Sequence, residues 1–114
     1  MLSSHPNATG DIISLELSKL AARRIRERPE IVSFGLDRIE KWVNRRGYSE
    51  GWAMSLHEWK DIILTHDAEG IAAILEMDTQ EGQRLRSSMP FIQPPFFTEQ
   101  ERLEIIDRAF ANQS

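Results

Sequence analysis

The sequence of 114 residues contains no cysteine, which excludes disulfide bonds and thiolate metal ligands. It also has no run of about 18 apolar residues, so we expect no membrane-spanning segment. The first ten residues are polar and lack the basic region and apolar run that a secretory signal carries. We therefore expect a cytoplasmic protein.

Recognisable catalytic motifs are missing as well. The three histidines, His5, His57 and His66, are scattered, and HEWKD at residues 57–61 has Asp61 where a helical zinc motif carries its second histidine. There is no G-x-S-x-G nucleophile elbow, and the glycines are dispersed rather than gathered in a phosphate-binding loop. We expect a protein that is not an enzyme and that binds no metal and no cofactor.

Strand patterns are absent from the sequence. No segment alternates apolar and polar residues with β-branched enrichment, and no Asn-Gly or Asp-Gly hairpin turn occurs. Apolar residues instead recur at spacings of three and four, first at Ile13, Leu17, Leu20, Ala21 and Ile25. We predict an all-α fold, a compact array of about six short helices in a single domain at residues 11–112. Residues 1–10 are expected to form a flexible leader.

The second helix is predicted from a proline, an apolar stripe and a glycine. Pro29 ends the first helix and can also begin the second, and Gly47 supplies a C-terminal stop. The stripe consists of Val32, Leu36, Ile39 and Val43, with Trp42 at its edge. Gly35 lies beside this stripe, and a glycine inside a helix predicts a close contact with another helix.

Two tryptophans lie on one face of a third helix, predicted over residues 49–64. Trp52 and Trp59 are seven residues apart, which places them two turns from each other. As core residues they need partners for their indole N–H groups, and as surface residues they would be interface anchors. The sequence leaves both alternatives open.

N-cap residues predict the remaining helices. The candidates are Asp67 for a fourth helix, and Asp78 or Thr79 for a fifth that runs to about Arg86. Thr98 and Glu101 form a T-x-x-E capping box before the last helix. The apolar stripe of that helix contains Leu103, Ile106 and Phe110.

A connector rich in proline and phenylalanine separates the fifth helix from the last. Proline fixes φ and lacks a donor N–H, so residues 87–97 cannot be helical. The candidate partner-binding residues are Pro90, Phe91, Pro94, Pro95, Phe96 and Phe97, flanked by Arg84 and Arg86. Each phenylalanine left exposed would forgo about 1.5–3 kcal/mol. The connector therefore either fills the core or docks on a partner.

Charge is unevenly distributed along the chain. Residues 1–46 carry a balance of +3 and the remainder a balance of −7, which gives the formal net charge of −4. The candidates for contact with nucleic acid are Arg23, Arg24, Arg38, Arg45 and Arg46. Interleaved acidic residues and the negative net charge favour solvated helix faces instead. A homodimer is a further possibility that the uneven charge permits.

Two short motifs resemble a pattern in small bacterial proteins of toxin–antitoxin operons. LRSSMPF at residues 85–91 is similar to an L-R-x-[NS]-S-P-F segment that closes their domain, and TEQER at residues 98–102 is similar to the short helix that follows it. The resemblance extends over residues 17–108 and includes a W-x-x-[IL]-L helix, here Trp59, Ile62, Ile63 and Leu64. The chain departs from the pattern at Met89, in place of serine, and at Gln93-Pro94-Pro95, in place of a glycine-containing turn.

The resemblance implies a non-catalytic antitoxin that binds and neutralises a partner toxin of the nucleotidyltransferase type. In that interpretation the connector provides rigid apolar contacts, and its prolines reduce the entropy lost on docking. The alternative is a nucleic-acid-binding regulator that uses the basic residues of the first two helices.

Overall fold

A computed structural model describes residues 8–44 and 50–111. Within these ranges the chain forms six α-helices, and a 3-10 turn at Pro29–Ile31 precedes the second, which confirms the all-α prediction. The helices are α1 (Ala8–Glu27), α2 (Val32–Val43), α3 (Glu50–Thr65), α4 (Ala68–Leu75), α5 (Gln80–Arg86) and α6 (Glu99–Ala111). None of the described helices is both long and apolar enough to cross a membrane.

The N-terminal prediction is only partly covered by the described residues. Residues 8–10, expected in the leader, are helical and form the start of α1. Residues 1–7 lie outside the described ranges. So do Arg45, Arg46 and Gly47, and with them the predicted stop of the second helix.

Helix α1 lies at the centre of the packing, against α4, α5 and α6, while α2 packs on α3. The predicted stripe of α1 is confirmed, since Ala21 and Ile25 are fully buried and Leu17 packs against the core. The short apolar helix α4 buries Ile71 and Leu75.

The predicted caps are confirmed by their hydrogen bonds. Asp67 Oδ1 accepts from the Gly70 N–H at 2.8 Å, and Thr79 rather than Asp78 caps α5. At α6 the two bonds of the capping box are both present. The Thr98 N–H donates to Glu101 Oε1 at 2.9 Å, and the Glu101 N–H donates to Thr98 Oγ1 at 3.1 Å.

Gly35 makes a close contact, but the predicted helix partner is wrong. A Cβ at this position would lie 2.7 Å from Cδ1 of Phe91 and closer still to Cε1. The neighbour is therefore the connector, because the Phe91 ring lies against the backbone of α2 where a side chain would otherwise stand.

Helix α6 buries a different face from the predicted stripe. Ile105 and Ala109 are buried, whereas Leu103 is 43% exposed and Phe110 is 59% exposed. Ile106 is half-buried. At 3.6 residues per turn the predicted stripe lies roughly 110° around the helix from the buried pair. The packing of α6 on α1 uses the smaller apolar face, which leaves the larger one on the flank.

Candidate partner-binding surface

Most of the apolar connector is built into the core. Pro90, Phe91, Phe96 and Phe97 are all buried. The Phe91 ring packs edge-on against Trp59, with centroids 5.5 Å apart, and against Phe96 at 5.2 Å. The structure thus favours the core alternative for these four residues. In the folded chain Pro90, Phe91 and Phe96 do not form the partner-contact surface that the sequence had left open, whereas Phe97 lines a surface cleft.

Trp59 anchors this aromatic cluster through its polar edge. Its side chain is fully buried, and its indole N–H donates to the carbonyl of Leu85 at 2.8 Å. The core alternative is therefore confirmed for Trp59. The side chain of Trp52 lies outside the described part of the chain.

Arg38 holds the connector from the side of α2. Its Nη1 donates to the carbonyls of Pro90, at 3.2 Å, and of Ile92, and its Nη2 donates to the carbonyl of Pro94 at 3.0 Å. The guanidinium carbon also lies 5.5 Å from the Phe96 ring centroid, within cation–π range. Burial lowers the pKa of Arg38 from its ordinary value. A residue predicted to meet nucleic acid is thus engaged inside the protein.

The part of the connector that reaches the surface is a tight turn. Gln93 has φ of 62°, the left-handed region, and its carbonyl accepts from the Phe96 N–H at 2.8 Å. This is the conformation that glycine adopts most readily. The Pro94–Pro95 bond is cis, with Pro94 exposed and Pro95 half-buried.

The two flanking arginines have different environments. Arg84 is exposed and donates to both oxygens of Glu58, at 2.9 and 2.7 Å, and to Glu81, which ties α5 to α3. These hydrogen bonds lower the pKa of Glu58 and raise that of Arg84. Arg86 is buried, and its Nη1 donates to the Met77 carbonyl at 2.7 Å. Most of the Arg86 side chain is therefore engaged inside the protein, and the remainder lines a surface cavity with Asp11 and Asp78.

Several basic side chains of α1 form ion pairs with glutamates. Arg24 pairs with Glu101 of α6. Arg26 pairs with Glu69 and Glu76 around α4, and the hydrogen bonds lower the pKa of both carboxyl groups. Arg23 is exposed and forms no ion pair with a residue that the structure describes. The predicted nucleic-acid set is thus divided between internal contacts, one exposed arginine, and the undescribed Arg45 and Arg46.

An exposed apolar stripe lies along one flank of α6. We use the term α6 face for Leu103, Ile106 and Phe110, which follow one another at spacings of three and four. Sequence reasoning found these residues as the apolar positions of the last helix. Elsewhere the large exposed apolar side chains are distributed over three helices, as Ile12 of α1, Phe34 of α2, and Met54 and Leu64 of α3.

A cleft of about 430 Å³ lies beside the N-terminal end of α6. Its lining consists of Leu17, Ile92, Gln93, Pro94, Phe97, Glu99 and Arg102. Glu99 and Arg102 form a two-bonded ion pair at 2.8 and 2.7 Å, which lowers the pKa of Glu99. Glu99 and Arg102 belong to the same flank of α6 as Leu103 and Ile106, so the cleft and the α6 face adjoin.

Comparison with known proteins gives no relative. No protein-family model, curated protein or solved structure matches this chain. Within residues 8–44 and 50–111, no group of three or more acidic or histidine side chains is placed to hold a metal ion. Functional conclusions therefore depend on the surface of the chain itself and on the motif resemblance.

Proposed function

We propose that this chain is a non-catalytic protein-binding module of the antitoxin type, which binds and neutralises a partner toxin. The motif resemblance supplies the antitoxin class. The observation that carries protein binding is the α6 face, where two large apolar side chains, Leu103 and Phe110, are 43% and 59% exposed on one flank of one helix. Covering that exposed area would contribute on the order of 1 kcal/mol for each side chain.

The proposed contact surface is the α6 face rather than the aromatic connector. Helix α6 is fixed by its capping box and by the Arg24–Glu101 ion pair to α1. A partner would therefore meet a rigid, preformed helix and would lose little conformational entropy in ordering it. The connector contributes indirectly, because Ile92, Pro94 and Phe97 line the adjoining cleft.

Co-expression with the product of the adjacent gene tests this proposal. We expect the chain to restore growth inhibited by that product and to co-purify with it. The variant Leu103→Ser/Phe110→Ser should lose both properties while remaining folded, because both side chains are exposed. The matched control is Phe34→Ser, which removes a phenylalanine 51% exposed on α2. Failure of the wild-type chain either to restore growth or to co-purify would refute the proposal.

The nucleic-acid alternative stays a prediction with fewer residues to support it. Arg24 and Arg38 are engaged in internal contacts, so Arg23 is the described member of the set that remains available. Titration with DNA and RNA at two salt concentrations tests this alternative, because phosphate-driven affinity weakens steeply with salt.

A further inference from the structure

The charge beside the α6 face is negative. Asp107 follows Leu103 by four residues and precedes Phe110 by three, so it borders the face on the solvent side. Glu104 lies next to it, and neither carboxylate forms an ion pair with the residues that the structure describes. The positive charge of Arg102 is matched by Glu99. Arg108 lines a different cavity, with Ile12 and Glu16.

The α6 face and the adjoining cleft together are long enough for a short helix to lie along them. From Glu99 to Phe110 it spans about 16 Å, or three helical turns. The cleft at its N-terminal end, about 430 Å³ in volume, lies within the usual size range of ligand pockets and has apolar walls at Leu17, Ile92 and Phe97. One large apolar side chain of a partner can enter it while the rest of the partner lies along α6.

We propose that the occupant of this surface is an amphipathic helix of the partner protein with lysine or arginine along one edge. This inference rests on the proposed protein-binding function and names the partner's chemistry. Apolar residues of that helix at i, i+3 or i+4, and i+7 lie on the α6 face, with one more side chain in the cleft. Its basic edge lies opposite Asp107 and Glu104, where attraction between opposite charges sets the register of docking.

A second copy of this chain fits the surface less well. Pairing α6 with α6 around a two-fold axis would bring the carboxylates of Asp107 and Glu104 from both copies together, and like charges repel.

A synthetic peptide tests the proposed chemistry without knowledge of the natural partner. The probe is a 14-residue helix with capped ends, leucine and phenylalanine on one face and lysine on both edges. Titrated into the ¹⁵N-labelled full chain, it should shift signals of α6 and of the cleft residues Leu17 and Phe97. A second peptide with glutamate in place of every lysine should bind at least tenfold more weakly.

Variants of the chain separate the apolar and charged contributions. Phe110→Ala should weaken binding of the lysine peptide about tenfold or more, whereas Phe34→Ala should leave it unchanged. Glu104→Gln/Asp107→Asn should weaken it severalfold at low salt and remove most of the salt dependence. Because all four side chains are exposed, these variants should keep the fold of the wild type.

Several results would overturn the inference. They are absence of binding by the lysine peptide, equal binding of the glutamate peptide, or equal losses for Phe110→Ala and Phe34→Ala. The proposed function is decided separately by co-expression. Capture of the adjacent gene product without peptide binding leaves that function standing and rejects the basic helix. Peptide binding at α6 without such capture rejects the antitoxin role and keeps the recognition chemistry.

Discussion

Substitution of Gly35 by alanine sets two opposing effects against each other. Alanine is favoured over glycine in a helix interior by about 1 kcal/mol. The added Cβ, however, would lie 2.7 Å from Cδ1 of Phe91, and closer still to Cε1, when ordinary contacts begin at about 3.4 Å. The Phe91 ring is fully buried between Trp59 and Phe96, so it cannot retreat without displacing them. Overpacking of this kind costs about 1–3 kcal/mol.

We therefore expect Gly35→Ala to lower the free energy of unfolding by up to about 2 kcal/mol. Urea denaturation followed by tryptophan fluorescence measures it. Gly10→Ala is the matched control, because Gly10 is also helical but has nothing within 4 Å of an added Cβ, and it should be neutral or slightly stabilising. In the double variant Gly35→Ala/Phe91→Leu the smaller side chain should recover part of the loss. If Gly35→Ala were as stable as Gly10→Ala, the packing of Phe91 on α2 would be refuted.

Three further predictions concern the connector and its surroundings. Arg38→Lys should lower the free energy of unfolding in urea by about 1–3 kcal/mol, because an ammonium group cannot reach three carbonyls at once. A loss below about 0.5 kcal/mol would contradict the proposed role of these hydrogen bonds in holding the connector. Gln93→Gly should raise the free energy of unfolding by up to about 1 kcal/mol, since glycine takes the left-handed conformation freely, whereas a lower free energy of unfolding would contradict this reasoning. Hydrogen bonds from the Thr98 backbone and from Arg24 lower the pKa of Glu101, so its stabilisation is full above the ordinary value of 4.5 and is lost as pH falls through the lowered pKa. Glu101→Gln should flatten the decline in stability between about pH 5 and 3, and an unchanged decline would assign it to other carboxylates.

Features encoded by neighbouring residues were predictable from the sequence. The Asp67 and Thr79 caps and the T-x-x-E box need only residues three positions apart, so local chemistry determines them. The boundaries of the connector followed in the same way, because proline restricts its own backbone and that of the residue before it.

Features decided by packing between distant segments were not predictable. Arg38 and the carbonyls it holds are 52 to 56 residues apart, and no local pattern connects a basic helix residue with them. The position of Gly35 in a helix predicted a close contact, but the sequence could not show whether another helix or the connector makes it. Helix α6 carries two apolar faces, and tertiary packing buried the smaller, Ile105 with Ala109.

The α6 face is an apolar stripe in the sequence but an exposed surface in the structure, because α6 packs on α1 through its other apolar side. Leu103, Ile106 and Phe110 form the larger apolar stripe of the helix, and a stripe of this kind is normally the core-facing side. Once the structure buries the other side, the stripe becomes exposed surface, while the aromatic connector fills the core. The proposed site of recognition therefore moves from the connector to α6.

Isothermal titration of the purified chain with the product of the adjacent gene tests this assignment most directly. The account predicts that Leu103→Ser/Phe110→Ser raises the dissociation constant at least about thirtyfold with no change in thermal unfolding, whereas Phe34→Ser changes it less than about twofold. An unchanged dissociation constant in the double variant, or an equal loss in Phe34→Ser, would contradict the claim that the α6 face is the partner-binding surface.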